Sequence, residues 1–197
     1  MKKIYTSVFI ATLLLQIYSC SCKDCAKSDY EITIPQNIID KGIYYIMSKT
    51  GKDFLSKYIG VDYINSKQNE NNCELIFHLR MIENNFVDEV INLEIDKNGE
   101  VISEKGIPDC VKDSSNCIFV IDENKVLEII EKSGLKTGIR KNEVEFRWSK
   151  ELQKYVWHIL SFHNESEEDG HYKGNGQEMM ISPKDGEILL FREWIIE

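Results

Sequence analysis

The sequence is short of basic residues. It contains 24 Lys and Arg residues against 33 Asp and Glu residues, which gives a formal net charge of −9. Without Lys2 and Lys3 the balance falls to 22 basic against 33 acidic residues, a formal charge of −11. An acidic surface repels phosphate backbones and anionic lipid headgroups. Nucleic-acid binding and membrane binding through charge are therefore not expected.

The sequence also lacks the motifs of the common catalytic sites. We find neither a Gly-x-Ser-x-Gly nucleophile elbow nor a glycine-rich phosphate-binding loop. His158 and His163 are five residues apart on a predicted strand, which places them on opposite faces unless a bulge intervenes. The sequence predicts a protein that is not an enzyme and that has no metal or cofactor.

One acidic segment leaves an alternative open. The segment from His163 to His171 includes Glu165, Glu167, Glu168 and Asp169, and such side chains are able to hold a metal loosely. We interpret the segment as a solvated acidic hairpin tip. A hydrolase with a site built from His163 and this loop is the alternative.

The first residues have the pattern of an export signal. Lys2 and Lys3 precede an apolar run from Ile4 to Tyr18, as in a signal peptide. A membrane-spanning helix needs roughly 20 mostly apolar residues, more than this run supplies. We therefore predict that residues 1–19 are a signal peptide and that the protein is exported.

The end of this segment carries a second signal. Ile17-Tyr18-Ser19-Cys20 resembles the lipobox of bacterial lipoproteins, in which the cysteine sulfur receives a lipid. The resemblance implies lipidation of Cys20, a tether over residues 20–29 and a location in the cell envelope, at the periplasmic face or the outer-membrane surface. The lipid bilayer would then be one partner of the chain. The alternative is ordinary secretory cleavage near Ser19 or Ser21 that releases a soluble product.

Cysteine usage fits an oxidising compartment. After Cys20, five cysteines remain, namely Cys22, Cys25, Cys73, Cys110 and Cys117. An odd number leaves at least one cysteine unpaired or bonded to another chain. Because Cys110 and Cys117 flank a short polar stretch, we predict a disulfide between them that staples the connector formed by residues 107–117. A redox role for Cys22 and Cys25 is less favoured, because they lie in the predicted tether.

The remainder of the chain shows signs of an internal duplication. Gly99 and Gly186 each end a turn between apolar, alternating segments, as expected of a β-hairpin, and they lie 87 residues apart. The same offset places the apolar positions of two predicted helices in register. The matched pairs are Ile34 with Ile121, Ile39 with Val126, and Ile43 with Ile130.

The duplication predicts two tandem units, each a helix followed by four antiparallel strands. Residues 30–106 form the first unit and residues 118–197 the second, so the fold class is α+β. The first helix is predicted over 35–58. The second is capped by Asp122 and ends at Ser133-Gly134. The apolar stripe predicted to be buried on the second helix consists of Val126, Leu127, Ile129 and Ile130.

The second unit resembles a PepSY-type domain, a cystatin-like α+β fold. The resemblance depends on three segments: Ile121-Asp122-x-x-Lys125-x-Leu127-x-Ile129, Tyr155-Val156-Trp157-x-Ile159, and the closing hairpin Ser182-Pro183-Lys184-Asp185-Gly186-Glu187-Ile188-Leu189. Ser182 stands where the family usually has Asp. The resemblance implies a non-enzymatic module that binds or inhibits a peptidase or senses a peptide, with an unknown protein or peptide of the envelope as its partner. An NTF2-like immunity protein that neutralises a toxin shares the tryptophan strand and the hairpin, and is the alternative.

Overall fold

The protein is described by a computed structural model, which covers residues 34–168 and 170–197. The predicted signal peptide, the tether, Cys20, Cys22 and Cys25 lie outside these residues. The first half contains the helices α1 (Gln36–Thr50) and α2 (Lys52–Tyr58), followed by β1 (Ile59–Gln68), β2 (Asn72–Arg80), β3 (Asp88–Asp96) and β4 (Val101–Lys105). The second half contains a 3-10 turn (Ser114–Cys117) and α3 (Glu123–Lys132), followed by β5 (Glu143–Ser149), β6 (Lys154–Glu168), β7 (His171–Ile181) and β8 (Ile188–Ile196).

Each half folds its four strands into a separate antiparallel sheet. The strand order is β1-β2-β3-β4 in the first sheet and β5-β6-β7-β8 in the second. Every pair is antiparallel and consecutive in the chain. This arrangement follows from short hairpin connections, which join neighbouring antiparallel strands without a crossover. The predicted α+β class with two four-stranded antiparallel sheets is confirmed.

The first predicted helix is in fact two helices. Gly51 has φ +82° and its N–H donates to the Met47 carbonyl at 2.9 Å, which ends α1 before α2 begins. A positive φ is accessible to glycine without strain, so Gly51 is able to end the helix. The apolar spacing continues on both sides of Gly51, which is why the sequence suggested one helix. Gly42, in contrast, stays inside α1. A methyl group there would collide with Leu75, so the missing side chain lets α1 pack closely on the first sheet.

The predicted caps and turns are confirmed. Asp122 Oδ1 accepts a hydrogen bond from the Lys125 N–H at 2.9 Å, which satisfies one free donor of the first turn of α3. Gly99 and Gly186 have φ of +87° and +80°. These local features depend on residues close together in the chain, which is why the sequence predicts them well.

The buried helix positions are confirmed only in part. Ile39 and Val126 are buried, whereas Ile43 and Ile130 are partly buried. The prediction for Leu127 is wrong, because 39 % of this side chain is exposed. Adjacent helical residues point about 100° apart, so a helix that lies on one sheet with Val126 at its centre turns Leu127 outward.

The two halves share one hydrophobic core. Phe86 of the first half contacts Phe146 and Trp157 of the second half, with ring centroids 5.3 and 5.2 Å apart. Tyr155 of β6 is 2 % exposed, and its hydroxyl donates to the Gly106 carbonyl, in the connection after β4, at 2.8 Å. The hydrophobic cluster therefore continues from one sheet to the other.

The structure brings Cys110 and Cys117 together, with their Cα atoms 5.5 Å apart, a separation that a disulfide spans. The Val111 N–H donates to the Lys49 carbonyl, so the same loop is attached to the end of α1.

We expect Cys110→Ser to lower the free energy of unfolding by about 2–3 kcal/mol, because the crosslink restricts the unfolded chain. Urea unfolding of the oxidised protein measures this loss.

The matched control for this prediction is Cys73→Ala, which removes the buried cysteine of β2. Its unfolding should still shift when reductant is added, whereas that of Cys110→Ser should not. Mass spectrometry that finds both Cys110 and Cys117 as free thiols in material from an oxidising compartment would contradict the prediction.

Candidate functional site

A charged groove lies between the two sheets and has a volume of about 650 Å³. Strands β3, β4, β5, β7 and β8 contribute its walls. The charged side chains that line it are Asp88, Glu89, Lys105, Glu145, Arg147, Lys150, Glu151, Glu178 and Arg192. A groove with several convergent charged groups is the usual place to seek a binding site.

One wall of the groove is held by an ionic network that extends from the buried His158 and Glu178 to the exposed Arg192 and Glu151. His158 is 4 % exposed, and its Nε2 lies 2.8 Å from Glu178 Oε1. Arg192 Nε donates to Glu178 Oε2 at 2.6 Å, and its terminal nitrogens donate to Glu151. The network connects β6, β7, β8 and the turn after β5, so it orients Arg192 on the groove wall.

The protonation of this network follows from its surroundings. Burial lowers the pKa of His158 despite the neighbouring carboxylate, so the ring is neutral at pH 7. Burial acts to raise the pKa of Glu178, but the hydrogen bonds from His158 and Arg192 outweigh it and leave the pKa below its ordinary value. Glu178 is thus an acceptor only, and the proton of neutral His158 lies on Nε2. His158 Nε2 therefore donates a hydrogen bond to Glu178, which holds the ring in place.

Glu89 is the most unusual ionisable group of the groove. It lies opposite Leu79 in the register of β2 and β3, on the strand face that carries the buried Ile91 and Leu93. Its carboxyl group forms no hydrogen bond or ion pair with any residue that the structure describes. Burial, followed by repulsion from Glu145, raises its pKa to about 7, although Lys105 acts in the opposite direction.

The arrangement of Glu89 defines what the groove can do chemically. A partly buried carboxylate that lacks a partner is unfavourable, because little solvent or protein compensates its charge. A cation placed beside Glu89 and Glu145 would stabilise the ionised form of both. Perturbed carboxyl groups in clefts are frequent at functional sites. The part of the groove beside Glu89 and Glu145 is therefore suited to a ligand with an ammonium or guanidinium group.

In the acidic segment after His163, Glu165 is engaged in contacts within the protein. Glu165 accepts hydrogen bonds from Arg140 and from the Tyr172 hydroxyl, the latter at 2.7 Å. β6 has a bulge between Phe162 and Asn164. Side chains therefore do not alternate strictly between the two faces of the strand at His163, as the prediction that His158 and His163 lie on opposite faces requires. His163 Nε2 lies 3.3 Å from the Ser161 hydroxyl. Within residues 34–168 and 170–197, no group of three or more His, Cys, Asp or Glu side chains is arranged to hold a metal ion.

Glu89 was not identified from the sequence, because the chain has many carboxylates and their number does not show which of them lie close together. The pattern around Glu89 nevertheless sets this residue apart. In Glu89-Val90-Ile91-Asn92-Leu93 the acidic residue takes a position on the apolar face of an alternating strand. A charge at such a position is expected to lie at the edge of a core or in a site.

Comparison with known proteins does not place the chain in a family. No protein-family model matches it, and no curated protein matches it. Among the described helices, none is both long and apolar enough to cross a bilayer.

Proposed function

We propose that the protein is a non-enzymatic binding module of the cell envelope, anchored by a lipid on Cys20, whose inter-sheet groove takes a basic side chain of a peptide or protein partner. Peptidase inhibition and peptide sensing are both activities of this kind. The observation that carries the proposal is the position of Glu89, a partly buried carboxyl group in the groove with a pKa raised to about 7. A bound cation would replace the solvation that this carboxylate has lost.

The overall charge supports a basic partner. The chain has a formal net charge of −9. The groove presents carboxylates at Glu89 and Glu145, while Lys105, Arg147, Lys150 and Arg192 also line it. Opposite charges accelerate encounter and favour complementary partners. The two sheets, each preceded by helix, are also the arrangement expected of tandem PepSY-like units, whereas an NTF2-like fold would wrap one continuous sheet around a helix.

The proposal predicts that binding depends on pH in a defined direction. The pKa of Glu89 is about 7 in the free protein, so the group is mainly neutral at pH 5.5 and mainly ionised at pH 8. We expect a short acetylated peptide with one central arginine to bind about tenfold more tightly at pH 8 than at pH 5.5, because only the ionised carboxyl attracts the guanidinium. Titration calorimetry with the full chain measures both affinities.

Two controls separate this effect from general charge attraction. A peptide with citrulline in place of arginine keeps the planar shape but loses the charge and some of the N–H donors, and should bind much more weakly. Glu89→Gln should remove most of the pH dependence, whereas Glu100→Gln, at an exposed position outside the groove, should keep it. Equal binding of the two peptides, or the same pH profile in Glu89→Gln, would refute the proposed function.

A further inference from the structure

The last strand of the second sheet has an open edge. Within the described residues β8 pairs with β7 alone and ends the strand order of its sheet. Seven of its nine residues are apolar, and Phe191, Ile195 and Ile196 are 43 %, 68 % and 49 % exposed. A long apolar edge strand is a template for pairing with another chain, and proteins normally protect such edges.

The other three sheet edges are protected. Strand β1 is irregular between Asp62 and Lys67, where the Asp62 carboxylate accepts two backbone N–H bonds and turns the chain. Strand β4 has only five residues and ends in Glu104 and Lys105. Strand β5 carries charged side chains at alternate positions, namely Glu143, Glu145 and Arg147. Short length, bulges and charges all weaken strand addition. In β8 the irregularity lies near its start and the charges are limited to Arg192 and Glu193, so β8 is the least protected edge.

We propose that β8 accepts an extended segment of a basic partner protein as a fifth strand of the second sheet. The inference rests on the proposed function, because it concerns how the same partner is held. Main-chain hydrogen bonds along β8 would supply much of the affinity, and the exposed apolar side chains would contact alternate side chains of the added strand.

Charge decides between a partner protein and a second copy of this chain. Two copies, each with a formal net charge of −9, repel each other. The full-length antiparallel pairing of two β8 strands is centred on Arg192, which would place the two guanidinium groups directly opposite each other. Like charges at opposite positions destabilise a strand pair. A partner with a net positive charge does not meet the first obstacle, and it avoids the second in a register that places an uncharged residue opposite Arg192.

The edge is continuous with the groove. Arg192 belongs to β8, lines the groove and is bonded to Glu178 and Glu151. A strand added to β8 would lie directly beside Arg192, so one partner segment is able to follow the edge while a neighbouring basic side chain enters the groove.

The test uses two synthetic peptides with the full chain. One is Lys-Val-Lys-Thr-Lys-Val-Lys-Thr-Lys, and the other has Glu at every Lys position. The basic peptide should slow amide hydrogen exchange across β8 by about fivefold or more, and should change the emission of Trp194, which lies on this strand. The acidic peptide should bind at least about tenfold more weakly.

Matched edge variants localise the effect. Ile195→Lys places a charge on the open edge and should weaken binding of the basic peptide by about tenfold. Ile102→Lys makes the same change at an exposed position of β4 and should leave binding unchanged.

Three results would overturn the inference: protection that maps to β4 and not to β8, β8 amides that are already protected by another segment in the free chain, or a dimer in sedimentation without peptide. Binding that depends on Glu89 without protection of β8 would refute strand addition and leave the groove function standing. Protection of β8 that is unchanged in Glu89→Gln would support strand addition and refute the groove function.

Discussion

Tyr155→Ala is expected to lower the free energy of unfolding by about 3–5 kcal/mol, because it removes a large buried side chain and leaves a cavity. The ring of Tyr155 stacks on Phe146 with centroids 5.4 Å apart and planes 10° from parallel. It also forms T-shaped ring contacts with Phe119 and Trp148. Its hydroxyl binds the Gly106 carbonyl, so the loss affects both halves of the molecule.

The measurement is urea unfolding followed by two probes, one in each half. Because the halves share a core, both probes should show one transition that moves to lower urea in the variant. Tyr155→Phe is the control: it keeps the ring and removes only the hydroxyl, for an expected loss of about 1 kcal/mol. If Tyr155→Ala shifts the transition of the second half alone, the two halves are independent domains and the shared core does not couple them.

Cys20→Ala is expected to move the protein completely from the membrane fraction to the soluble fraction. If Cys20 carries the lipid, its acyl chains supply the whole of the membrane attachment, since the acidic protein gains nothing from anionic headgroups. Phase separation in detergent, together with the intact mass of the wild-type protein, measures the effect. The mass should exceed that of the cleaved chain by a diacylglycerol and an acyl chain.

A neighbouring cysteine provides the control. Cys22→Ala changes the same residue type two positions away and should leave the protein in the detergent phase with its lipid mass. The lipoprotein interpretation is wrong if Cys20→Ala stays in the detergent phase and the wild-type protein carries no added lipid. In that case the alternative of ordinary secretory cleavage has to be tested next.

Local features of the fold follow from the sequence. The turn ending at Gly99 and the turn ending at Gly186 were both predictable, because a positive φ favours glycine and alternating apolar residues flank each turn. The cap at Asp122 was equally predictable, because its carboxylate needs only the backbone three residues ahead. The proximity of Cys110 and Cys117 was also predictable from the sequence, since only seven positions separate them.

Other features were decided by tertiary structure alone. Glu89 is one of 33 acidic residues in the sequence, and its raised pKa arises from burial in the fold and from the proximity of Glu145, a residue of the other sheet. The exposure of Leu127 depends on where α3 lies on its sheet, and the open edge of β8 depends on the order of the strands. Turns and caps are made by neighbours in the chain, whereas burial, desolvation and free edges are set by residues distant in sequence that only folding brings together.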